Sequence, residues 1–251
     1  MIGRATEVVE ARTSDRFLEA FNAIDRLLRR RFRIDRGKGF FAVVEIAAAR
    51  DRAVKRYELD LKEYADLRNA ITHERTDGRA IAEPHPDTVA SLESILERLT
   101  RPPKVGELFR HRVERADVGE PIGRAAKAML DGNFSQVPVY DASRFVELLT
   151  AETLARWLAH ELASGVGLVE EASIRDVLRF TEDPEHFAFL GKGDTAYDAL
   201  AMFDDFTRRG KSLDAILVTE SGKRDERPLG IITVFDIPKL IGAVSIPGPQ
   251  P

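Results

Sequence analysis

The sequence predicts an α + α/β protein of two domains: a four-helix N-terminal domain, then a helix–strand–strand–helix unit written twice. Three observations carry that prediction. Apolar residues recur at three- and four-residue steps through the first hundred positions. Past residue 104 the same order of elements appears twice, about eighty residues apart. Between these regions, Thr100-Arg101-Pro102-Pro103-Lys104 sets two prolines, which stop a helix and stiffen a joint.

Composition bounds the reading. With 251 residues and 43% hydrophobic content, the chain can bury real cores. It has no cysteine, so neither a disulfide framework nor a thiolate metal site is available. A net charge of −4 argues against a general affinity for nucleic acid. No apolar run reaches membrane-spanning length, and charges fall where a signal peptide needs an apolar core. The expectation is a soluble, cytoplasmic protein.

In chain order, residues 1–13 read as a loose polar arm. Thr13 or Ser14 is placed to cap a first helix carrying Phe17, Phe21, Ile24 and Leu28 on one stripe. Its basic end, Arg29 to Arg36, complements the helix dipole; the alternative reading is a phosphate-backbone contact. After Gly37-Lys38-Gly39, an apolar helix over 40–49 should lie against neighbours. A third helix places Val54, Tyr57, Leu61, Tyr64, Arg68 and Ile71 on one stripe. Arg68 is the exception there, because a guanidinium among apolar residues needs a partner or a wet cleft. Thr76–Arg79 reads as a turn, and Pro84-His85-Pro86 opens a fourth helix with Val89, Leu92, Ile95 and Leu99 inward.

The run Leu67-Arg68-Asn69-Ala70-Ile71-Thr72-His73-Glu74 resembles the Arg-Asn-x-x-x-His motif of HEPN domains. That resemblance covers about residues 10–100. It implies a small all-helical domain that dimerises and, in many members, cuts RNA without a metal. Five residues is about 500° of turn, so Arg68 and His73 sit about 140° apart on an ideal helix. Asn69 and His73 share a face; Arg68 would reach round, or the site would be completed across a two-fold interface. His73 would then move protons, Arg68 would hold the scissile phosphate, and Asn69 would orient either.

In the second half, Ile122–Leu130 and Ala196–Phe206 are the first helices of the two copies. Gln136–Tyr140 and Ala215–Val218 are their first strands. Pro138 marks the former as an edge or entry strand, because proline cannot donate to a ladder. Each second strand ends in threonine, at Thr150 and Thr233, before another helix. Threonine there caps a helix, and the free N–H groups beyond it make an anion site. Asp236, three residues on, leaves the same face and can accept sugar hydroxyls. Trp157 reads as packing, and Glu220–Arg227 as a charged loop longer than Asp141–Arg144.

Val137-Pro138-Val139-Tyr140-Asp141, Leu149-Thr150 and above all Leu229-Gly230-Ile231-Ile232-Thr233-Val234-Phe235-Asp236 resemble a tandem pair of CBS domains. The resemblance spans roughly 104–244. It implies a regulatory module that binds an adenine nucleotide (ATP, ADP or AMP), without a metal, in the cleft between its repeats. The ligand-contacting positions it implies are Thr233, Asp236, Gly230, Ile232, Val137 and Pro138. The first copy departs, with Glu147 at the glycine and Thr153 at the aspartate.

The full expectation is a HEPN-like domain over 1–100, a linker over 101–104, and a CBS pair over 105–244. The repeats would run over about 105–165 and 174–244, with a flexible tail at 245–251. The chain would form a homodimer that senses an adenine nucleotide, with RNA the further partner that the HEPN resemblance implies. Its histidines, His73, His85, His111, His160 and His186, show no metal-ligand spacing.

Overall fold

The computed structural model describes residues 12–73, 75–76, 79–80, 83–165 and 172–246. It combines helix and strand in two compact units, one of residues 1–102 with 244–251, the other of 103–243. Residues 1–11 of the arm expected over 1–13, and residues 247–251 of the expected tail, lie outside the described residues; Thr13 belongs to the first helix.

The first unit is built from α1 (Thr13–Phe32), α2 (Phe40–Ala48), α3 (Arg52–Arg56), α4 (Glu58–His73) and α5 (Pro86–Thr100). A two-residue ladder, β1 (Arg75–Thr76) with β2 (Arg79–Ala80), joins the last two helices; the turn residues 77–78 lie outside the described part. Phe17, Ile24 and Leu28 of α1 are fully buried, as are Val43, Leu61, Ile71, Leu92 and Ile95. The Phe17 ring meets Phe21 and stands edge-on to Tyr64.

Two expectations change here. The third helix breaks at Tyr57 (φ −105°, ψ 14°), giving five helices instead of four. Asp51 caps the start of α3, accepting from the N–H groups of Ala53 and Val54. Thr13 and Ser14 do not cap α1. Their hydroxyls donate to the Glu83 carboxylate at 2.8 and 2.9 Å, tying the start of α1 to the approach to α5.

In the second unit the first copy gains a short strand, Ala116–Asp117, that the sequence did not reveal, while the strand expected from Phe187 leads the second. The first copy runs β3 (Ala116–Asp117), α7 (Ile122–Gly132), β4 (Gln136–Asp141), β5 (Arg144–Thr150), α8 (Ala151–Ser164). The second runs β6 (Phe187–Gly191), α10 (Ala196–Arg208), β7 (Ala215–Thr219), β8 (Gly230–Ile232), α11 (Ile237–Val244). Both sheets have three strands, in orders β3-β4-β5 and β6-β7-β8, with one parallel and one antiparallel pairing. Pro138 therefore sits in a central strand, not an edge. It is tolerated because β3 pairs only with Val139 and Tyr140, so that ladder begins after the proline.

Two short helices cross between the copies. α6 (Val105–Leu108) precedes the first copy in sequence but docks on the second: Val105 N–H donates to the Asp194 carbonyl and Gly106 N–H to that of Lys192. α9 (Ile174–Val177), followed by a 3₁₀ turn over Leu178–Phe180, precedes the second copy but docks on the first. Ile174 and Val177 are fully buried among Val118, Val137, Leu149 and Trp157. The two sheets then meet through Tyr140, Phe145 and Leu148 against Ala215 and Leu217.

Gly106 and Gly230 permit these approaches. A Cβ on Gly106 would lie 2.5 Å from the Lys192 Cβ, and one on Gly230 would lie 2.0 Å from the Phe109 carbonyl oxygen. We expect Gly230→Ala to lower the urea-unfolding stability of this unit by about 1–3 kcal/mol, the usual cost of overpacking. A variant as stable as the parent would refute that close approach.

Candidate functional site

The ends of the strands converge on one cavity of about 230 Å³ within the second unit. Its walls come from corresponding places in the two copies. Ser135 and Gln136 open β4 as Ser212 and Asp214 open β7, and Thr150 ends β5 as Thr233 follows β8. A smaller adjoining cavity of about 110 Å³ shares Thr150, Glu152, Ser212 and Asp214. Together they approach the lower end of ligand-sized pockets, about 300 Å³.

Each threonine begins a helical turn in the same way. Thr150 Oγ1 accepts from the Thr153 N–H at 3.1 Å and lies 3.1 Å from the Thr153 hydroxyl. Thr233 forms a reciprocal capping box with Asp236, whose Oδ2 accepts from the Thr233 N–H at 2.9 Å and its hydroxyl at 3.2 Å. Thr195 and Asp198 build an identical box at the start of α10, away from this cavity. A Thr-x-x-Asp pair is therefore first a helix start in this chain, and any ligand contact is added to that role.

The nominated residues divide. Thr233 lines the cavity; Asp236 is half-buried behind it, aimed back at the cap. Ile232 is fully buried in β8, and Gly230 is pressed against Phe109. Val137 belongs to the first copy's core, and Pro138 is buried beside it.

In the first unit, Arg68 is half-buried on α4 and donates from Nη1 to Asn69 Oδ1 at 3.3 Å. Its Nε is shielded from solvent and has no hydrogen-bond partner among the described residues. Asn69 is exposed. His73 closes α4, and its side chain falls outside the described part of the structure.

Sequence reading gave no role to the strongest electrostatic feature of the cavity. His186, 5% exposed, lies in the smaller cavity with Nδ1 2.9 Å from Asp214 Oδ2 and Nε2 3.3 Å from Glu147 Oε1. The second contact is a charge contact without hydrogen-bond alignment. Burial pushes the imidazole pKa down, but Asp214 and Glu147 outweigh it and hold it up at about 9. His186 in turn, helped by Ser212 and opposed by burial, holds the Asp214 carboxyl below its usual range. The one sequence signal was Glu147 standing where the second copy has Gly230.

Folded His186 keeps its proton up to about pH 9, whereas an unfolded histidine releases it near 6.5. Its contribution to stability is complete below about 6.5 and is lost as pH rises through about 9. We expect the unfolding midpoint to fall with pH over that window, and the fall to flatten in His186→Asn. An imidazole proton titrating near 6.5 by NMR would refute the pairing.

Residues 105–160 match the family model of the CBS domain. The chain is also similar, at low identity, to several solved structures. One is the CBS domain pair of protein MJ0100 in complex with 5′-methylthioadenosine and S-adenosyl-L-methionine: 17% identity, 57% of this chain and 99% of that one, TM-score 0.40. Another is CBSX2 in complex with AMP: 16% identity, 55% and 94% covered, TM-score 0.40. A third is protein MJ1225 from Methanocaldococcus jannaschii: 15% identity, 70% and 62% covered, TM-score 0.43. No curated protein matches the chain.

Proposed function

We propose that the second unit is a CBS pair that senses an adenine nucleotide and thereby regulates the attached N-terminal domain. The observation that carries this reading is the cavity walled by corresponding segments of both copies, with the Thr233 hydroxyl and a helix start at its edge. Thr233 contacts phosphate, and the free carboxylate oxygen of Asp236 receives a ribose hydroxyl. The family match at 105–160 supports the reading for the first copy. Complexes of CBSX2 with AMP and of MJ0100 with S-adenosyl-L-methionine give the ligand class its precedent. Regulation requires the nucleotide to bind two global states unequally.

A second reading adds an enzyme. Arg68 presents a shielded Nε without a partner among the described residues and holds its Nη1 against Asn69, which suits a group awaiting an anion. Under this reading the first unit is a HEPN-like domain that dimerises and cleaves RNA without metal through Arg68, Asn69 and His73. A third, non-catalytic reading keeps only dimerisation.

A thermal-shift screen of AMP, ADP and ATP tests the main reading. Nucleotide at a hundredfold excess over Kd stabilises by about 2.7 kcal/mol, and this gain should shrink in Thr233→Val and in Asp236→Asn, which preserves a cap acceptor. No shift with any nucleotide on the parent protein sinks it. For the second reading, RNA cleavage in chelator is expected to vanish in His73→Ala; a parent protein inert toward RNA removes it.

A further inference from the structure

A further cavity in the second unit, about 590 Å³, lies at the other end of β4 from the threonine cavity. Gln136 to Asp141 spans about 17 Å at an ordinary strand rise, so the two sites are separate. Its volume is within the ligand-sized range of about 300–1,000 Å³. Three guanidinium groups converge on it from three elements: Arg144 at the β4–β5 hairpin, Arg175 on α9, and Arg224 on the loop between β7 and β8. They face two carboxylates, Asp141 and Asp225.

Two of the three cations, Arg144 and Arg224, have no ion pair among the described residues. Arg175 reaches Asp141 through one nitrogen at 3.4 Å. Arg224 lies over the Phe145 and Phe187 rings, 5.1 and 5.2 Å from their centroids, and gives one Nη2 bond to the Val146 carbonyl at 3.1 Å. Stacking occupies the face of a guanidinium and leaves its remaining edge donors for an anion.

The loop carrying Arg224 is built, not merely long. Glu226 accepts from the Ser221 N–H and hydroxyl at 2.7 and 2.6 Å, and Thr219 Oγ1 accepts from the Gly222 N–H at 2.9 Å. Gly222 adopts φ +81°, and a Cβ there would come within 3.0 Å of the Gly191 nitrogen. This fixes the loop against β6, with Arg224 over the aromatic floor. Its counterpart in the first copy, the tight β4–β5 hairpin, supplies Arg144 instead.

We propose that this cavity binds a phosphate chain, held by Arg144, Arg175 and Arg224 over Phe145, at a site independent of Thr233. Three separated forks suit two or more linked phosphates better than one.

Calorimetric titration of the full chain with inorganic pyrophosphate at low salt tests it. One site per chain is expected, with affinity falling as salt rises and at least about tenfold weaker in Arg144→Gln and Arg224→Gln. Arg224→Lys, which keeps the charge but loses the fork and the stack, should fall between. Thr233→Val should bind as the parent does, so failure of the nucleotide reading and failure of this one are distinguishable. Competition by ATP in the Thr233→Val protein would identify a nucleotide-borne chain, and its absence a free one; both keep the assignment. Should a variant melt early, pyrophosphate protection of Arg144 and Arg224 in the parent from phenylglyoxal reads the same site. No binding at millimolar pyrophosphate, or equal affinity in both glutamine variants, overturns the proposal.

Discussion

The second unit depends on an exchange: each copy is completed by a short helix that the chain places before the other copy. Backbone pairing secures both crossings. Val105 and Gly106 donate to carbonyls at 192–194, and Ala196 returns a bond to Pro103; Ile122 and Ile174 bond across to Ala172 and Glu120. Each copy therefore buries apolar residues it does not encode. Ile174 and Val177 are fully buried in the first copy's core, so that core cannot close before the chain reaches residue 177. Folding is thereby made a property of the pair, with the loop-closure entropy of a long connection met by two cores at once.

That exchange also explains why the two copies carry different chemistry at one place. In the second, the chain leaving α6 passes so close to β8 that Gly230 alone fits, with the Phe109 carbonyl where a Cβ would stand. In the first, the chain leaving α9 runs on to His186, and Glu147 occupies the glycine position and meets it. Where the second copy has a backbone-on-backbone contact, the first has a buried imidazole between two partly buried carboxylates. Such an arrangement is costly to desolvate, and its members must remain paired.

Much of this architecture was legible because its signals are local. The duplication, the threonine strand ends and the proline joint are readable from spacing alone. The rest depends on partners far away in sequence. β3 is two residues long and exists only because Ala116 and Asp117 find Val139 and Tyr140 in parallel register, which no period-2 pattern announces. Thr13 and Ser14 have the composition of caps, yet Glu83, some seventy residues away, takes both hydroxyls. The stripe through Val54 and Tyr57 continues in space although the helix does not, so periodicity could not locate the break. His186 had no motif around it; its role is set by Glu147 and Asp214, contributed by β5 and by the approach to β7.

The electrostatic layout of the two cavities follows from where loops can afford length. At the threonine end the connections are strand-to-helix junctions, constrained by capping bonds, and the charged groups there are largely matched. Glu152 and Glu182 share Arg156, while Asp214 and Glu147 share His186. At the hairpin end the second copy inserts Glu220–Arg227 where the first has a tight turn, and that extra chain carries a guanidinium across to the first copy's Phe145 and Val146. Matched charge favours a ligand that offers hydroxyls and a single anionic group to existing hydrogen-bond geometry. Surplus cation over an aromatic floor favours one that brings several negative charges of its own. A duplicated fold thus presents two differently charged cavities in one pseudo-symmetric frame, because its copies differ in a loop and in one strand position.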